Sequence, residues 1–252
     1  MLKTRVMPTL LYRDYGLVKG VGFDSWRHVG NLIQQIKVYD MREVDELIFL
    51  DITASREKRN PDFELVDDFA DECHMPLTVG GGIRSVEDVR KLLEVGADKV
   101  AINTAAVETP KLISDIAEKF GQQCVVVSID FKQMDDGSYR VVTLSGTKCT
   151  DFDPTLFAKR VEAFGAGEIL LTSIDRDGTM EGYVIDIIKK ISDSVRIPVI
   201  ASGGAGNYQD MYEAIFKGNA SAVAAASIYH FTQQTPKEAK LFLHQKGIPV
   251  RQ

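Results

Sequence analysis

The sequence has few cysteines, and none of them forms a pair with the spacing of a metal site. Cys73, Cys124 and Cys149 are widely separated, and there is no CxxC motif. The four histidines also lack the spacing of metal ligands. This pattern favours a reducing compartment, and it predicts neither a metal ion nor any other cofactor.

Long apolar runs and an excess of positive charge are missing as well. No apolar run approaches the ~18 residues of a membrane-spanning helix, and the first residues lack the apolar segment of a signal peptide. The formal net charge is -6, and the lysines and arginines are scattered along the chain. Because nucleic-acid binders carry a basic stripe, we expect no binding to nucleic acid. Because the apolar segments are missing, we expect a cytoplasmic protein that does not bind membranes.

Short apolar runs are present instead, and they alternate with amphipathic stretches over the whole length. Such an order is typical of βα units around a parallel sheet, whose strands are buried on both faces. The sequence therefore predicts an α/β fold, a single (β/α)8 TIM barrel spanning residues 1–252, with helices that include 85–95 and 110–120. The predicted strands are 5–11, 46–51, 77–79, 99–102, 125–130, 168–173, 198–201 and 222–225.

The chain contains an internal repeat. The segment VGGGIRSVEDVRKLLEVGADKVAINTA resembles ASGGAGNYQDMYEAIFKGNASAVAAAS, and ELIFLD resembles EILLTS, with both matches separated by 122 residues. Two half-barrels, roughly 1–122 and 123–252, explain this period better than a solenoid, which needs at least ~3 shorter copies. A chance likeness between βα units is the alternative explanation.

The repeat also predicts two phosphate sites at the carboxyl ends of the strands, where such barrels carry their functional loops. Glycines let backbone N–H groups approach an anion closely, and polar residues follow the next strand in each half. A purely structural role for the glycine turns is the alternative. The first predicted site is Gly82, Asn103 and Thr104, and the second is Gly204, Ala226 and Ser227, joined by Asp177 and Gly178.

Acid–base candidates lie at the same predicted rim. Asp130 is the strongest of them, because it ends an apolar strand where burial raises a carboxyl pKa towards values useful for proton transfer. The alternative is that Asp130 only caps the loop or helix that follows it. Lys19 lies in a predicted loop after the first strand and is the candidate for closing over an anionic substrate. The alternative is that Lys19 is only a solvated surface charge. The remaining candidates are Asp51, Asp175 and Asp177.

The opposite ends of the strands carry charges where apolar residues are usual. Arg5, Glu46, Lys99 and Glu168 begin the first, second, fourth and sixth strands. Four charges of alternating sign in one ring can pair with each other. The ring is either a structural plug of the barrel or a gate for a small polar molecule.

Several motifs together resemble HisF, the cyclase subunit of imidazole glycerol phosphate synthase. They are MLKTRV, FLDITAS, TVGGGIRS, GADKVAINTAAVE, VVVSID, GAGEILLTSIDRDGT and IPVIASGGAG, and they span nearly the whole chain. The resemblance implies ammonia made by a glutaminase subunit docked at the barrel bottom and used on a phosphorylated substrate at the upper rim. It also implies that Arg5, Glu46, Lys99 and Glu168 form the ammonia gate, that Asp98 faces the partner, and that Asp130 and Lys19 are catalytic.

One departure from the family pattern concerns the chemistry directly. The family has a second catalytic aspartate at the end of the first strand, whereas this chain has Leu11, which cannot exchange a proton. The segment Tyr15–Lys19 departs as well, although it keeps Lys19. Both features resemble a paralogous branch that works with a glutaminase and a sugar amidotransferase, turning acetamido into acetamidino groups on bacterial surface polysaccharides.

Three hypotheses follow from the sequence. The first is ammonia delivery for acetamidino-sugar formation, for which Leu11 is tolerable. The second is the histidine-pathway cyclase, which converts ribulosyl formimino carboxamide ribotide and ammonia into imidazole glycerol phosphate and aminoimidazole carboxamide ribotide. The third is a non-catalytic scaffold that only activates the glutaminase.

Overall fold

The computed structural model of the chain describes residues 3–14 and 16–251. Within these residues there are twelve strands and ten α-helices. The strands are β1 (Arg5–Arg13), β2 (Gly16–Val21), β3 (Asp24–Gly30), β4 (Leu47–Asp51), β5 (Leu77–Gly80), β6 (Lys99–Ile102), β7 (Val125–Gln133), β8 (Tyr139–Thr143), β9 (Lys148–Cys149), β10 (Glu168–Ser173), β11 (Val199–Ser202) and β12 (Ala222–Ala225). The helices are α1 (Leu32–Met41), α2 (Phe63–Ala70), α3 (Val86–Glu94), α4 (Thr104–Glu108), α5 (Lys111–Phe120), α6 (Pro154–Ala163), α7 (Ile185–Ser192), α8 (Tyr208–Phe216), α9 (Ser227–Phe231) and α10 (Pro236–Gln245).

Eight of these strands close into a parallel barrel. The order around it is β1, β4, β5, β6, β7, β10, β11 and β12, and β12 pairs again with β1. The predicted (β/α)8 TIM barrel is therefore confirmed, and each predicted strand overlaps one strand of the barrel. The division into half-barrels near residue 122 stays a prediction.

The antiparallel strand pairs above the rim were not predicted. β1 continues past the barrel and pairs antiparallel with β2, which pairs with β3, while β7 continues to Gln133 and pairs with β8. The predicted loop position of Lys19 is consequently wrong. Lys19 lies in β2, and only 1% of its surface is exposed, because the hairpin folds back over the barrel mouth.

Apolar side chains fill the barrel interior and the space between the strands and the helices. Strand residues alternate between these two sides, as expected for a pleated strand. The helices cover the outer side, and none of them in the described residues is long and apolar enough to span a membrane. The interior cluster comprises Met7, Ile48, Ala101, Val126, Leu170, Ile200, Ala222 and Ala224.

The helices that follow the two glycine turns begin in the same way. Ser85 forms a capping box with Asp88 at the start of α3, and Asn207 forms one with Asp210 at the start of α8. Each box satisfies backbone N–H groups that the first turn leaves free. The local geometry after each turn is thus reproduced in both copies of the sequence repeat.

Candidate functional site

A pocket opens at the carboxyl ends of the barrel strands. Asp130 lies in its wall, between residues that come from opposite sides of the barrel. The structure therefore brings all predicted phosphate-site residues to one pocket. Those residues are Gly82, Asn103, Thr104, Asp177, Gly178, Gly204, Ala226 and Ser227.

The two glycine turns need glycine for their own packing. Gly82 and Gly203 have positive φ angles, and a Cβ atom there would lie 2.6 Å from the Arg59 carbonyl oxygen and 2.5 Å from that of Ser173, respectively. A Cβ on Gly204 would collide with the Gly182 carbonyl oxygen. A structural role of these glycines is thus evident, and it places their backbones at the pocket wall.

The polar groups beside the turns differ in how they are engaged. The Asn103 amide donates to the carbonyl oxygens of Ser128 and Val142 and, at 3.3 Å, to the Asp130 carboxylate. The Thr104 hydroxyl accepts from the Leu144 N–H at 3.1 Å. By contrast, the Ser227 hydroxyl oxygen is buried and has no hydrogen-bond partner within the described residues. The Ser227 hydroxyl thus differs from that of Thr104, which is engaged by a backbone N–H.

Asp130 is the buried acid of the pocket. Only 8% of its surface is exposed, and the Ser128 hydroxyl donates to its carboxylate at 3.1 Å. Burial, with a smaller contribution from Asp177, raises the pKa of Asp130 to about 7, although hydrogen bonds from Ser128 and Thr172 act in the opposite direction. Both protonation states are therefore accessible near neutral pH, as proton transfer requires.

Lys19 and Asp177 form a buried ion pair at the edge of the same pocket. The Lys19 ammonium donates to the Asp177 carboxylate at 2.6 Å. Burial raises the pKa of Asp177, and the neighbouring Lys19 opposes that shift. The pair attaches the β2–β3 hairpin to the loop after β10 and keeps a cation beside the predicted second phosphate site.

The other carboxylates at the rim are less suited to proton transfer. Asp51 lines the pocket, but it accepts hydrogen bonds from Thr53 and Ala54 and pairs with Arg59 at 3.2 Å. Asp175 is exposed, accepts from the Gln133 N–H, and does not line the pocket. Leu11 occupies the end of the barrel portion of β1, is 8% exposed, and faces the pocket with a side chain that carries no proton.

Arg5, Glu46, Lys99 and Glu168 come together at the amino ends of the barrel strands. Arg5 pairs with Glu46 at 2.7 Å and with Glu168 at 3.0 Å, and Lys99 pairs with both glutamates at 3.0 Å. Each cation thus bridges both anions, so the four charges form a closed ring. This geometry is compatible with the plug and with the gate.

Asp98 lies at the same end of the barrel, directly before β6. Its side chain is exposed at the surface and accepts a hydrogen bond from the Leu77 N–H at 2.8 Å. The interaction ties the starts of β5 and β6 together. The Asp98 carboxylate adds negative charge to this face. The partner-facing role of Asp98 stays a prediction.

Part of the pocket wall was not predicted from the sequence. Phe23 and Trp26 on the β2–β3 hairpin line the pocket, as does Ser145 in the turn between β8 and β9. The aromatic residues of GVGFDSW were the available signal, because solvent-exposed loops rarely carry two large aromatic side chains so close together. Only the hairpin geometry shows that they face the barrel mouth.

Comparisons with known proteins match the chain over nearly its entire length. The family described as "Histidine biosynthesis protein" matches residues 5–235. The imidazole glycerol phosphate synthase subunit HisF of Chlorobaculum parvum is 53% identical over 251 residues, covering 100% of both chains. The protein of the same name from Pelodictyon phaeoclathratiforme is 52% identical over 251 residues, again covering 100% of both.

Proposed function

The chain belongs to the histidine biosynthesis protein family, and we propose from that premise that it is a HisF-type synthase subunit, which uses ammonia at the mouth of its barrel. The relatives' name states the synthesis of imidazole glycerol phosphate. In the proposed reaction, ammonia and ribulosyl formimino carboxamide ribotide give imidazole glycerol phosphate, aminoimidazole carboxamide ribotide and water. The observation that carries the proposal is Asp130, buried in a pocket between two glycine turns.

The arrangement of the turns supports a substrate with a phosphate at each end. One turn follows β5 and the other follows β11, which lie on opposite sides of the barrel. A ligand that reaches both turns must cross the pocket and pass Asp130. Phosphate groups suit glycine turns because backbone N–H groups can approach their oxygens closely.

Asp130 and Lys19 have complementary proposed roles. With a pKa near neutrality, Asp130 can accept a proton from the substrate and return it in a later step. Lys19 supplies a fixed positive charge next to the pocket, where it attracts an anionic ligand. The ion pair with Asp177 keeps the ammonium group in place, so little side-chain freedom is lost when substrate binds.

The lower end of the barrel supports entry of ammonia from a glutaminase partner. The charged ring lies at the amino end of a barrel whose interior contains a cluster of apolar side chains, and Asp98 adds charge to the same face. We propose that the glutaminase docks on this face. Ammonia released there enters through the ring and reaches Asp130 without mixing with the solvent.

Product formation by the purified chain tests this function. We expect the chain alone to form imidazole glycerol phosphate from ribulosyl formimino carboxamide ribotide and ammonium chloride. Once a HisH-type glutaminase is added, we expect the same product with glutamine as the nitrogen source. Liquid chromatography with mass detection measures both products. No product from either nitrogen source, with ligand binding intact, would reject the cyclase reaction.

A second candidate function is favoured by Leu11. Because a leucine replaces one member of the family's acid–base pair, the chain is suited to delivering ammonia without cyclisation. The acceptor is then the acetamido group of a surface-polysaccharide sugar, with a sugar amidotransferase as partner. Ammonia replaces the carbonyl oxygen, which leaves as water, and the product is an acetamidino group. Glutamine-dependent formation of the acetamidino sugar by the three proteins together, without imidazole glycerol phosphate, would favour this candidate.

Lys99→Met tests whether the charged ring acts as a gate. We expect glutamine-dependent turnover to fall and the ratio of glutamate to product to rise above one, while ammonium-dependent turnover stays within about twofold. Loss of the cation also leaves Glu46 and Glu168 with one partner each, which costs about 1–3 kcal/mol of stability.

The control for that experiment is Lys189→Met. Lys189 lies on the outer helix α7, is half exposed and pairs with Asp193 just after the helix. Its loss should therefore leave the coupling unchanged and alter the stability by no more than about 0.5 kcal/mol. If Lys99→Met destabilises the fold but keeps one glutamate per product, the ring is a plug and not a gate.

A further inference from the structure

The β2–β3 hairpin is held over the pocket by contacts at both of its strands. On β2, Lys19 pairs with Asp177. On β3, the guanidinium of Arg27 lies 3.9 Å from the centroid of the Phe231 ring, a cation–π contact with the end of α9. These contacts fix the position of Trp26, the residue before Arg27, relative to the barrel mouth.

Trp26 packs closely against the backbone of its own hairpin. A Cβ atom on Gly20 would lie 3.0 Å from the ring carbon Cε3 of Trp26, so the absence of a side chain at Gly20 permits this approach. The indole is nevertheless only partly buried, and it lines the pocket. Its ring is thus supported on one side and accessible from the pocket.

Part of the pocket lining is apolar. Leu11, Phe23 and Ile52 line the pocket together with Trp26, whereas the glycine turns and Asp130 supply polar groups elsewhere. Phosphate and sugar groups gain little from an apolar wall, because they prefer hydrogen-bonding partners or water. A flat unsaturated ring gains from it, since it can bury one face against an aromatic side chain.

We propose that Trp26 is a specificity-determining residue that stacks on a planar heteroaromatic ring of the phosphorylated substrate. This inference rests on the proposed function, because it assigns the middle part of the substrate held between the two phosphate sites. Stacking fixes the orientation of the ring in the pocket that also contains Asp130. A substrate that lacks a ring forfeits this interaction and binds through its phosphates alone.

Two ligands that differ in the ring test the inference. Aminoimidazole carboxamide ribotide carries a ring and a phosphate, and ribose 5-phosphate carries the sugar and the phosphate only. Because the chain has a single tryptophan, its fluorescence reports on Trp26 directly. We expect the ribotide to quench the emission and to bind about tenfold more tightly than ribose 5-phosphate, as base–aromatic stacking allows.

Trp26→Leu, studied by calorimetry, should remove that preference. Affinity for the ribotide should fall about tenfold, and affinity for ribose 5-phosphate should stay within about twofold. The control Phe216→Leu changes an exposed aromatic residue of α8 and should alter neither affinity. Equal losses for both ligands, or none, would overturn the stacking role. Ring preference without ammonia-dependent turnover would contradict the proposed function only, and turnover without ring preference would contradict the stacking only.

Discussion

Asp130→Asn should abolish most of the turnover and at the same time make the folded protein less sensitive to increasing pH. Asparagine has nearly the shape of aspartate but cannot exchange a proton, so we expect ammonium-dependent turnover to fall by about 10²–10⁴. The hydrogen bonds from Ser128 and Asn103 can be kept in part, because the amide oxygen still accepts. Substrate affinity should therefore change far less than turnover.

The stability effect follows from the direction of the pKa shift. Burial raises the pKa of Asp130 to about 7 in the folded state, while the unfolded chain keeps an ordinary carboxyl value near 4. Between these two values the folded state binds more protons than the unfolded state, so this group makes stability fall as pH rises. Its unfavourable contribution is absent at low pH and complete above about pH 7.

Asparagine lacks this titration. The free energy of unfolding of Asp130→Asn, relative to the original chain, should thus increase between pH 5 and pH 8. Urea unfolding at both pH values measures it, and steady-state kinetics measures the turnover. Asp175→Asn is the control, because Asp175 is exposed and outside the pocket. An Asp130→Asn protein with unchanged turnover would exclude Asp130 as the acid or base.

The barrel was predictable because its strands are buried on both faces. Runs such as LIFLD in β4 and VVVSID in β7 are almost wholly apolar, and no other element produces such runs so regularly. The hairpin strands carry no comparable signal. In β3, the residues DSWRHVG lie at the surface and gain their pairing from β2, which is a tertiary effect that local patterns do not report.

The site was predictable only as a set of positions. Parallel strands end at one edge, so Gly82, Asp130 and Gly204 had to meet if the barrel formed. The engagement of each side chain was not accessible, because it depends on neighbours distant in sequence. Asp51 is occupied by Arg59, and Lys19 is buried against Asp177, a residue 158 positions away.

Leu11→Asp has the opposite expected effect, a gain in cyclase turnover. Leu11 faces the pocket from β1, on the far side of the barrel from Asp130 in β7. A carboxyl group there would restore a second proton carrier, and a general acid or base contributes about 10²–10⁴ in rate. Burying the new polar group in place of leucine should cost about 1–3 kcal/mol of stability.

Leu11→Asn distinguishes the effect of a proton-exchanging group from the effect of a changed side-chain shape. It should lose a similar amount of stability, because it also places a polar group in the pocket wall, but it should bring no gain in turnover. The measurement is the rate at which imidazole glycerol phosphate forms from ribulosyl formimino carboxamide ribotide and ammonium chloride, with unfolding followed in parallel. Equal gains in both variants would show that shape, and not proton exchange, limits the original chain. No gain in Leu11→Asp, despite intact ribotide binding, would mean that the pocket has lost more than one carboxyl group, and it would favour ammonia delivery to another acceptor.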